Sequence, residues 1–240
     1  MVNGGVRERE ELNEMKWKLL GTALRLRAEH APYGAWHQEG WQMRHHDLVI
    51  IGTGSGNTIV DDSFADLDVA IVEERKFGGT CANYGCIPSK MLAYTADVAD
   101  TVDDAGRFNI DANLRAVHWA ALRDRVFDRT DGIERAGRAG RVESDFITVY
   151  AGHAIFTGPG QLRIEVADGE VEITADQIVV AAGGRPVVPP VIAESGLPYE
   201  TSDTVMRIDE PPRHLTVLGG GYIAAERWLT SSRRRVLLSP

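Results

Sequence analysis

Two thiols and a cation stand close together in the stretch Phe77–Lys90, Phe-Gly-Gly-Thr-Cys-Ala-Asn-Tyr-Gly-Cys-Ile-Pro-Ser-Lys. It holds the only two cysteines of a 240-residue chain, Cys81 and Cys86, and Lys90 follows the second by four positions. A ring with four residues between its cysteines removes little chain entropy, so a disulfide there would be a poor staple. In an ideal helix, positions five apart rise roughly 7.5 Å and sit roughly 140° apart around the axis. That is too far for a disulfide, whose Cα atoms lie within about 7 Å. At least one cysteine is therefore expected in an irregular lead-in turn, which Gly78, Gly79 and Gly85 would permit. Cys86 and Lys90 would share one face of a helix beginning near Cys86. A cation and a helix N-terminus both favour thiolate. The spacing points to a reactive pair. A zinc site would need about four ligands, usually two pairs, and a thioredoxin-like centre would need C-x-x-C.

A second kind of chemistry is written in glycine. His46–Ile51 is a near-continuous apolar run of the kind buried parallel strands show. Gly52-Thr53-Gly54-Ser55-Gly56-Asn57 follows, then a helix expected to reach about Ala65, a strand Asp68–Val72, and Glu73. Strand, glycine turn, helix, strand and acid form a dinucleotide fingerprint, with Glu73 about 20 residues after the first glycine, where a ribose-binding acid belongs. The diphosphate would rest on backbone N–H groups at the helix start. Asn57 stands at the third glycine position. Either the helix stands slightly further off, or the amide caps its first turn or touches phosphate. A second fingerprint is read in Leu215–Glu226: a strand ending at Leu218, then Gly219-Gly220-Gly221-Tyr222 opening a helix, with Ala224 at the small position.

The elements that must carry these sites follow from periodicity. The thiol stretch continues as a helix over Met91–Asp104 with an apolar stripe of Met91, Leu92, Tyr94, Val98 and Val102, ended by Gly106. A second amphipathic helix is expected from about Ala116 to Arg138. Strands at Phe146–Tyr150, Ala154–Phe156, Leu162–Val166 and Val171–Thr174 form a meander turning at Asp168-Gly169. Ile178–Gly183 is a buried strand running into a glycine turn, and Pro186–Pro190 marks a linker. The expected fold is α/β: a Rossmann-like domain of three layers, ββα, with an inserted meander, followed by the incomplete start of a second Rossmann-like domain.

Residues 1–42 lack domain texture apart from a short helix expected over Glu10–Arg27, and Met43 reads as a natural start. Arg227–Pro240 is Arg-rich, with no acid, and fits a frameshift soon after Glu226; the chain is expected to be an inactive fragment. A formal net charge of −9 argues against nucleic acid or an anionic membrane surface as the main partner. No apolar run reaches the roughly 18 residues of a membrane span. Two cysteines in so long a chain suit a reducing cytoplasm, where a reactive pair is catalytic more often than structural.

Two fingerprints bracketing Gly-Gly-Thr-Cys-x-Asn-x-Gly-Cys-x-Pro-Ser-Lys resemble the flavoprotein disulfide reductases, over roughly residues 45–226. Gly-Thr-Gly-Ser-Gly-Asn, Phe-Gly-Gly-Thr-Cys and Thr201–Met206 look most like the branch that reduces mycothione. The resemblance implies FAD on the first fingerprint and NADPH, with NADH not excluded, on the second. Gly52, Gly54, Gly56, Asn57 and Glu73 would then hold FAD. Gly79 and Thr80 match further FAD contacts, Gly152-His153-Ala154 the adenine side, and Ala182 and Gly183 the flavin-domain turn. Cys86 corresponds to the cysteine next to the flavin, and Cys81 to the interchange cysteine that attacks a substrate disulfide. Lys90 matches the cation near the flavin and Glu226 its ion-pair partner. Gly219, Gly221 and Tyr222 match the nicotinamide nucleotide site. The resemblance further implies a small-molecule disulfide substrate and a homodimer in the full-length family, a dimer not expected of this chain. Residues 43–190 would form the first part of the FAD domain and 191–226 a linker and the start of the nucleotide domain. Lipoamide, glutathione disulfide and mercuric ion are the alternative substrates for the parent, and a non-catalytic flavin-binding fragment is the rival reading.

Overall fold

The computed structural model describes residues 24–27, 43–212 and 214–226. They fall into two compact units, one holding the chain up to Gly79 together with Gly137–Gly183, the other Thr80–Ala136 together with the chain from Gly184.

The first unit is built on one six-stranded sheet. Its strands are β1 (Leu24–Arg27), β2 (Arg44–Ile51), β3 (Val69–Glu73), β4 (Ile147–Gly158), β5 (Gln161–Val166) and β6 (Gly169–Val180), in the order β1-β6-β2-β3-β4-β5. β2, β3 and the first part of β4 run parallel, as do β2 and the second part of β6. The far part of β4, β5 and the first part of β6 form an antiparallel meander. Because β5 also pairs with β6, the ladder closes on itself from β2 round to β6.

Alternation along the central strands sorts the core into two faces. Leu48 and Ile50 pack with Val69, Ile71, Ile147 and Val179 beneath Ile59, Val60 and Phe64. Val49, Ala70 and Val72 face the other way, against Leu162 and Ile164 of the meander and Ile173, Ala175 and Ile178 of β6. Each of the larger aliphatic side chains contributes about 1.5–3 kcal/mol on burial. Two covered faces explain why β2 and β3 read as unbroken apolar runs. The α/β class with an inserted meander is what the sequence leads one to expect.

Three expectations change in this unit. The helix expected after the glycine turn is replaced by two short 3-10 segments, Ser55–Ile59 and Asp62–Phe64. β-branched Ile59 and Val60 are poor helix formers, Val60 is extended, and the Asp61 carboxylate caps the second segment by accepting the Ser63 N–H. The separately expected strands of the meander and of Ile178–Gly183 fuse into two long strands, β4 and β6, each serving both the parallel layer and the meander. Lastly, Leu24–Arg27 is a strand antiparallel to Gln177–Val180 rather than the end of a helix from Glu10. The rest of that helix, and the start assigned to Met43, concern residues 1–23 and 28–42, outside the described residues, as does the tail 227–240.

The second unit is helical. A short α1 (Gly79–Asn83) leads into α2 (Cys86–Asp103), a 3-10 turn Ala105–Phe108, and α3 (Trp119–Val142), whose last residues belong to the first unit. Asn109 ends the 3-10 turn in the left-handed conformation. α2 buries Pro88, Ser89, Leu92, Ala96 and Ala99, not the expected stripe: Tyr94 is 72% and Val98 49% exposed. Leu92 packs with Trp119, Leu122, Val126, Phe127 and Met206. After Gly184 come α4 (Pro190–Ala193) and a 3-10 turn Val205–Arg207. That turn is tied to α3: Arg207 forks onto Asp131 at 2.8 and 3.4 Å and covers the Phe127 ring, while Trp119 Nε1 donates to the Ile208 carbonyl.

The strand expected at Leu215–Leu218 is not formed; this stretch pairs with no strand among the described residues, and Leu218 is 68% exposed. A single extended segment without a neighbouring strand leaves its backbone groups to water.

Candidate functional site

The turn after β2 has room only for glycine. Gly52 has φ +105°, and a Cβ there would lie 2.3 Å from the Ala181 carbonyl oxygen and close to Ala182. A Cβ on Gly56 would lie 2.2 Å from the Ala181 Cβ, and one on Gly79 only 2.6 Å from the Gly54 Cα. Bare backbone from three places, the exit of β2, the exit of β6 and the turn at Gly78-Gly79, thus closes to van der Waals distance. Such a surface admits another backbone or a flat anionic group, and the one side-chain atom that the added Cβ atoms would meet is the small Ala181 methyl.

Glu73 closes β3 and is held by this turn. Thr53, 3% exposed, donates its N–H (2.9 Å) and its hydroxyl to Glu73 Oε2. The Arg75 N–H donates to Oε1 at 2.8 Å, and the Gly78 N–H donates back to the Thr53 hydroxyl at 3.2 Å. The acid, the first glycine turn and the Gly78-Gly79 turn are therefore one hydrogen-bonded assembly. Sequence reasoning missed Thr53, whose only signal is its place between the first two glycines.

The expected helix N-terminus is a five-residue 3-10 segment, in which the Asn57 N–H already donates to the Gly54 carbonyl at 3.0 Å. The first amides of such a segment, at Ser55 and Gly56, have no intrasegment acceptor and remain the donors for a phosphate. Asn57 Oδ1 is buried without a hydrogen-bond partner. The amide oxygen makes no cap there, and a buried acceptor of this kind calls for a water or a hydroxyl of a bound group. Taken together, the glycine cradle, the oriented carboxylate of Glu73 and the unpaired Asn57 oxygen fit the dinucleotide-diphosphate half of FAD.

Just beyond β3, His153 Nδ1 pairs with Glu74. Ala154 pairs with Ile164 in the β4–β5 ladder. Gly152 is required by packing, since a Cβ there would lie 2.2 Å from the Glu165 carbonyl. Gly183 takes φ +72°, and a Cβ there would meet nothing within 4 Å, so the turn after β6 is sterically open.

In the second unit the thiols flank a break between α1 and α2. Tyr84 N–H still donates to Thr80 O at 2.8 Å, and Gly85 then leaves helical geometry at φ −131°, ψ −114°. The irregular residues lie between the cysteines rather than at either one, and α2 begins at Cys86. Both cysteines are free thiols and exposed as residues. Partial desolvation of the sulfur, and then the hydrogen bond and charge of Cys86, push the Cys81 pKa above its ordinary value. Lys90 Nζ lies 2.7 Å from Glu226 Oε1, the expected ion pair, and the Glu226 carboxylate raises the Lys90 pKa.

The second glycine turn is looser. Gly219 has φ +117°, a Cβ at any of Gly219–Gly221 would meet nothing within 4 Å, residues 222–226 are helical, and Tyr222 is 83% exposed. The structure thus brings Gly52, Gly54, Gly56, Asn57, Glu73, Gly79 and Ala182 together in one unit. In the other it sets the free thiols of Cys81 and Cys86 on either side of the α1–α2 break and pairs Lys90 with Glu226, while the Tyr222 ring stands in solvent. Among the described residues no cluster of three His, Cys, Asp or Glu side chains could hold a metal ion. None of their helices is long and apolar enough to cross a membrane.

Comparison with known proteins gives a consistent answer. Residues 46–232 match the family model for pyridine nucleotide-disulphide oxidoreductases. The chain is 49% identical over 188 residues to mycothione reductase of Mycobacterium tuberculosis, covering 77% of this chain and 40% of that protein. It is 32% identical to glutathione reductase of Burkholderia cepacia, covering 75% of this chain and 39% of that protein. Among solved structures, the Cu(II) complex of the HOCl-induced flavoprotein disulfide reductase RclA from Escherichia coli aligns with a TM-score of 0.68. That match has 28% identity and covers 80% of this chain and 41% of that one. The chain thus spans about 40% of the length of the curated relatives it matches.

Proposed function

Because this chain belongs to the pyridine nucleotide-disulphide oxidoreductase family, an enzyme family, we propose that it carries the flavin cradle and exchange thiols of a mycothione-reducing enzyme. FAD rests on the Gly52–Asn57 turn with Glu73 at the ribose, Gly79, Thr80, Ala154, Ala182 and Gly183 completing its contacts. NADPH is the reductant, at Gly219, Gly221 and Tyr222. Mycothione is favoured over glutathione disulfide by 49% against 32% identity over nearly equal spans. Residues 43–190 and 191–226 then divide into flavin and nucleotide parts, and the enzyme works in the cytoplasm.

Bound FAD would supply the two-electron link between the nicotinamide and the Cys81–Cys86 disulfide. Everything after that belongs to the thiols. Cys81 thiolate attacks one sulfur of the substrate disulfide, forming a mixed disulfide and releasing one thiolate, which takes a proton. Cys86 thiolate then attacks the Cys81 sulfur, the second substrate thiol leaves, and the Cys81–Cys86 bond is restored. Two electrons and two protons convert one disulfide to two thiols. Lys90, neutralised in part by Glu226, supplies the positive charge on the Cys86 face of α2.

The observation that carries this reading is the placing of two free thiols, Cys81 on α1 and Cys86 at the start of α2, on either side of the α1–α2 break. Its test is anaerobic: the protein is oxidised, loaded with FAD and given one equivalent of NADPH, and new thiols are alkylated and located by peptide mass. Both cysteines should become alkylated, and neither in protein lacking FAD. Flavin reduction that leaves Cys81 and Cys86 unalkylated would sink the electron route.

A further inference from the structure

Arg141 stands in the last turn of α3, half-buried, and its guanidinium is spent on main-chain oxygens. Nη1 donates to the Val60 carbonyl at 3.2 Å and Nη2 to the Asn57 carbonyl at 3.1 Å. No carboxylate among the described residues pairs with it. The two carbonyls mark the last turn and the exit of the 3-10 segment that replaces the expected helix. In a continuing α-helix, N–H groups four residues on would take them. Here the chain leaves helical geometry at Val60, whose own N–H reaches Asn57 O only at 3.4 Å. The fork of Arg141 does what one missing helical turn would have done.

The segment so held begins with the amides of Ser55 and Gly56 and carries the buried, unpaired oxygen of Asn57. A charged fork behind it has two effects. It fixes the segment's far end, and it leaves an uncompensated positive charge behind donors that face an anion. We propose that Arg141 is a positioning residue for the cofactor diphosphate, holding the Gly54–Asn57 turn in its binding shape and adding positive potential there. This rests on the reading that FAD occupies the first glycine turn.

Lysine keeps the charge but is a point donor without the planar fork, so Arg141→Lys separates the two effects. Arg138→Met removes an exposed arginine from the same helix and serves as control. For Arg141→Met, FAD binding followed by fluorescence should weaken roughly tenfold, about 1.4 kcal/mol, with a shallower salt dependence. Amide exchange across residues 54–60 should quicken, while β2 and β3 keep their protection. Arg141→Lys should restore the salt dependence but not the slow exchange. Wild-type affinity and exchange in Arg141→Met, or an equal loss in Arg138→Met, would overturn the proposal, and complete rescue of exchange by lysine would overturn the role of the fork. A wild-type protein that binds no FAD would instead remove the cofactor reading, and the exchange rates alone would then decide whether Arg141 holds the turn.

Discussion

Thr53 gives both of its donors to one oxygen of Glu73, binding the first glycine turn to the acid that ends the neighbouring strand. The same hydroxyl accepts the Gly78 N–H, so one buried side chain serves three segments. Thr53→Val keeps the shape and the N–H bond but removes the hydroxyl, stranding the Gly78 amide. Loss of a buried bond to a charged acceptor costs about 1.5–3 kcal/mol. Urea unfolding should show that loss in Thr53→Val and little of it in Thr53→Ser; equal stability of the two would show that the hydroxyl contributes nothing.

Gly79 and Gly183 both take positive φ, yet substitution should affect them differently. At Gly183 an added methyl meets open space, leaving only the left-handed backbone cost of roughly 1–2 kcal/mol. At Gly79 the same methyl would lie 2.6 Å from the Gly54 Cα, adding overpacking of about 1–3 kcal/mol. Gly79→Ala should therefore lower the melting temperature more than Gly183→Ala and separately abolish FAD binding. Matching melting curves for the two variants would contradict the close approach of the turns.

His46 is fully buried at the start of β2, between the Asp68 carboxylate, 2.8 Å from Nδ1, and the Tyr150 hydroxyl, 3.0 Å from Nε2. A neutral ring suits this pair: Nδ1–H donates to Asp68, and Nε2 accepts from Tyr150. Burial is the largest influence and depresses the His46 pKa below 6.5, against the opposing pull of Asp68. The unfolded chain binds a proton near pH 6.5 while the folded protein resists it. Stability is thus whole above that pH and declines as pH falls through it towards the depressed folded value. Denaturant midpoints measured between about pH 7.5 and 5 should fall for the wild type. A His46→Gln variant, less stable at neutral pH, should show a flatter profile. A wild-type midpoint independent of pH over this range would refute the assignment.

Cys81 holds its proton more firmly than an ordinary thiol when the pair is reduced. Burial and the neighbouring thiol both hold the Cys81 proton on, so its alkylation by iodoacetamide should rise only above the ordinary thiol range. Cys86→Ala removes the neighbour but not the burial. Its Cys81 rate profile should move to lower pH without reaching that of an exposed peptide thiol; an unmoved profile would show that burial acts alone.

The features legible in the sequence were those written in contiguous residues. Leu48–Ile51 and Val69–Val72 declare a doubly covered parallel pair because every residue is apolar, and Gly52 with Glu73 declares the turn and its acid by spacing. Cys86 and Lys90 fix the start of α2 in the same way. What stayed hidden depends on contacts between distant residues. Nothing near Ser55 announces that Arg141 will stand in for a helical turn. Tyr94 and Val98 look like core until Ala96 and Ala99 are seen to form the close-packed row. Leu215–Leu218 has a strand's composition, but a strand also needs a neighbour to pair with.

The long strand β6 has a consequence for how the protein is made. Its partner β2 lies far upstream; His45 meets Thr174 across 129 positions of chain. During synthesis β2 and β3 can pair early, but the edge of β2 waits until residue 180 has left the ribosome. Non-local pairings of this kind slow folding and leave an apolar strand edge open meanwhile. The nascent chain should therefore depend on a holding chaperone through that interval, and release from it should coincide with the emergence of β6.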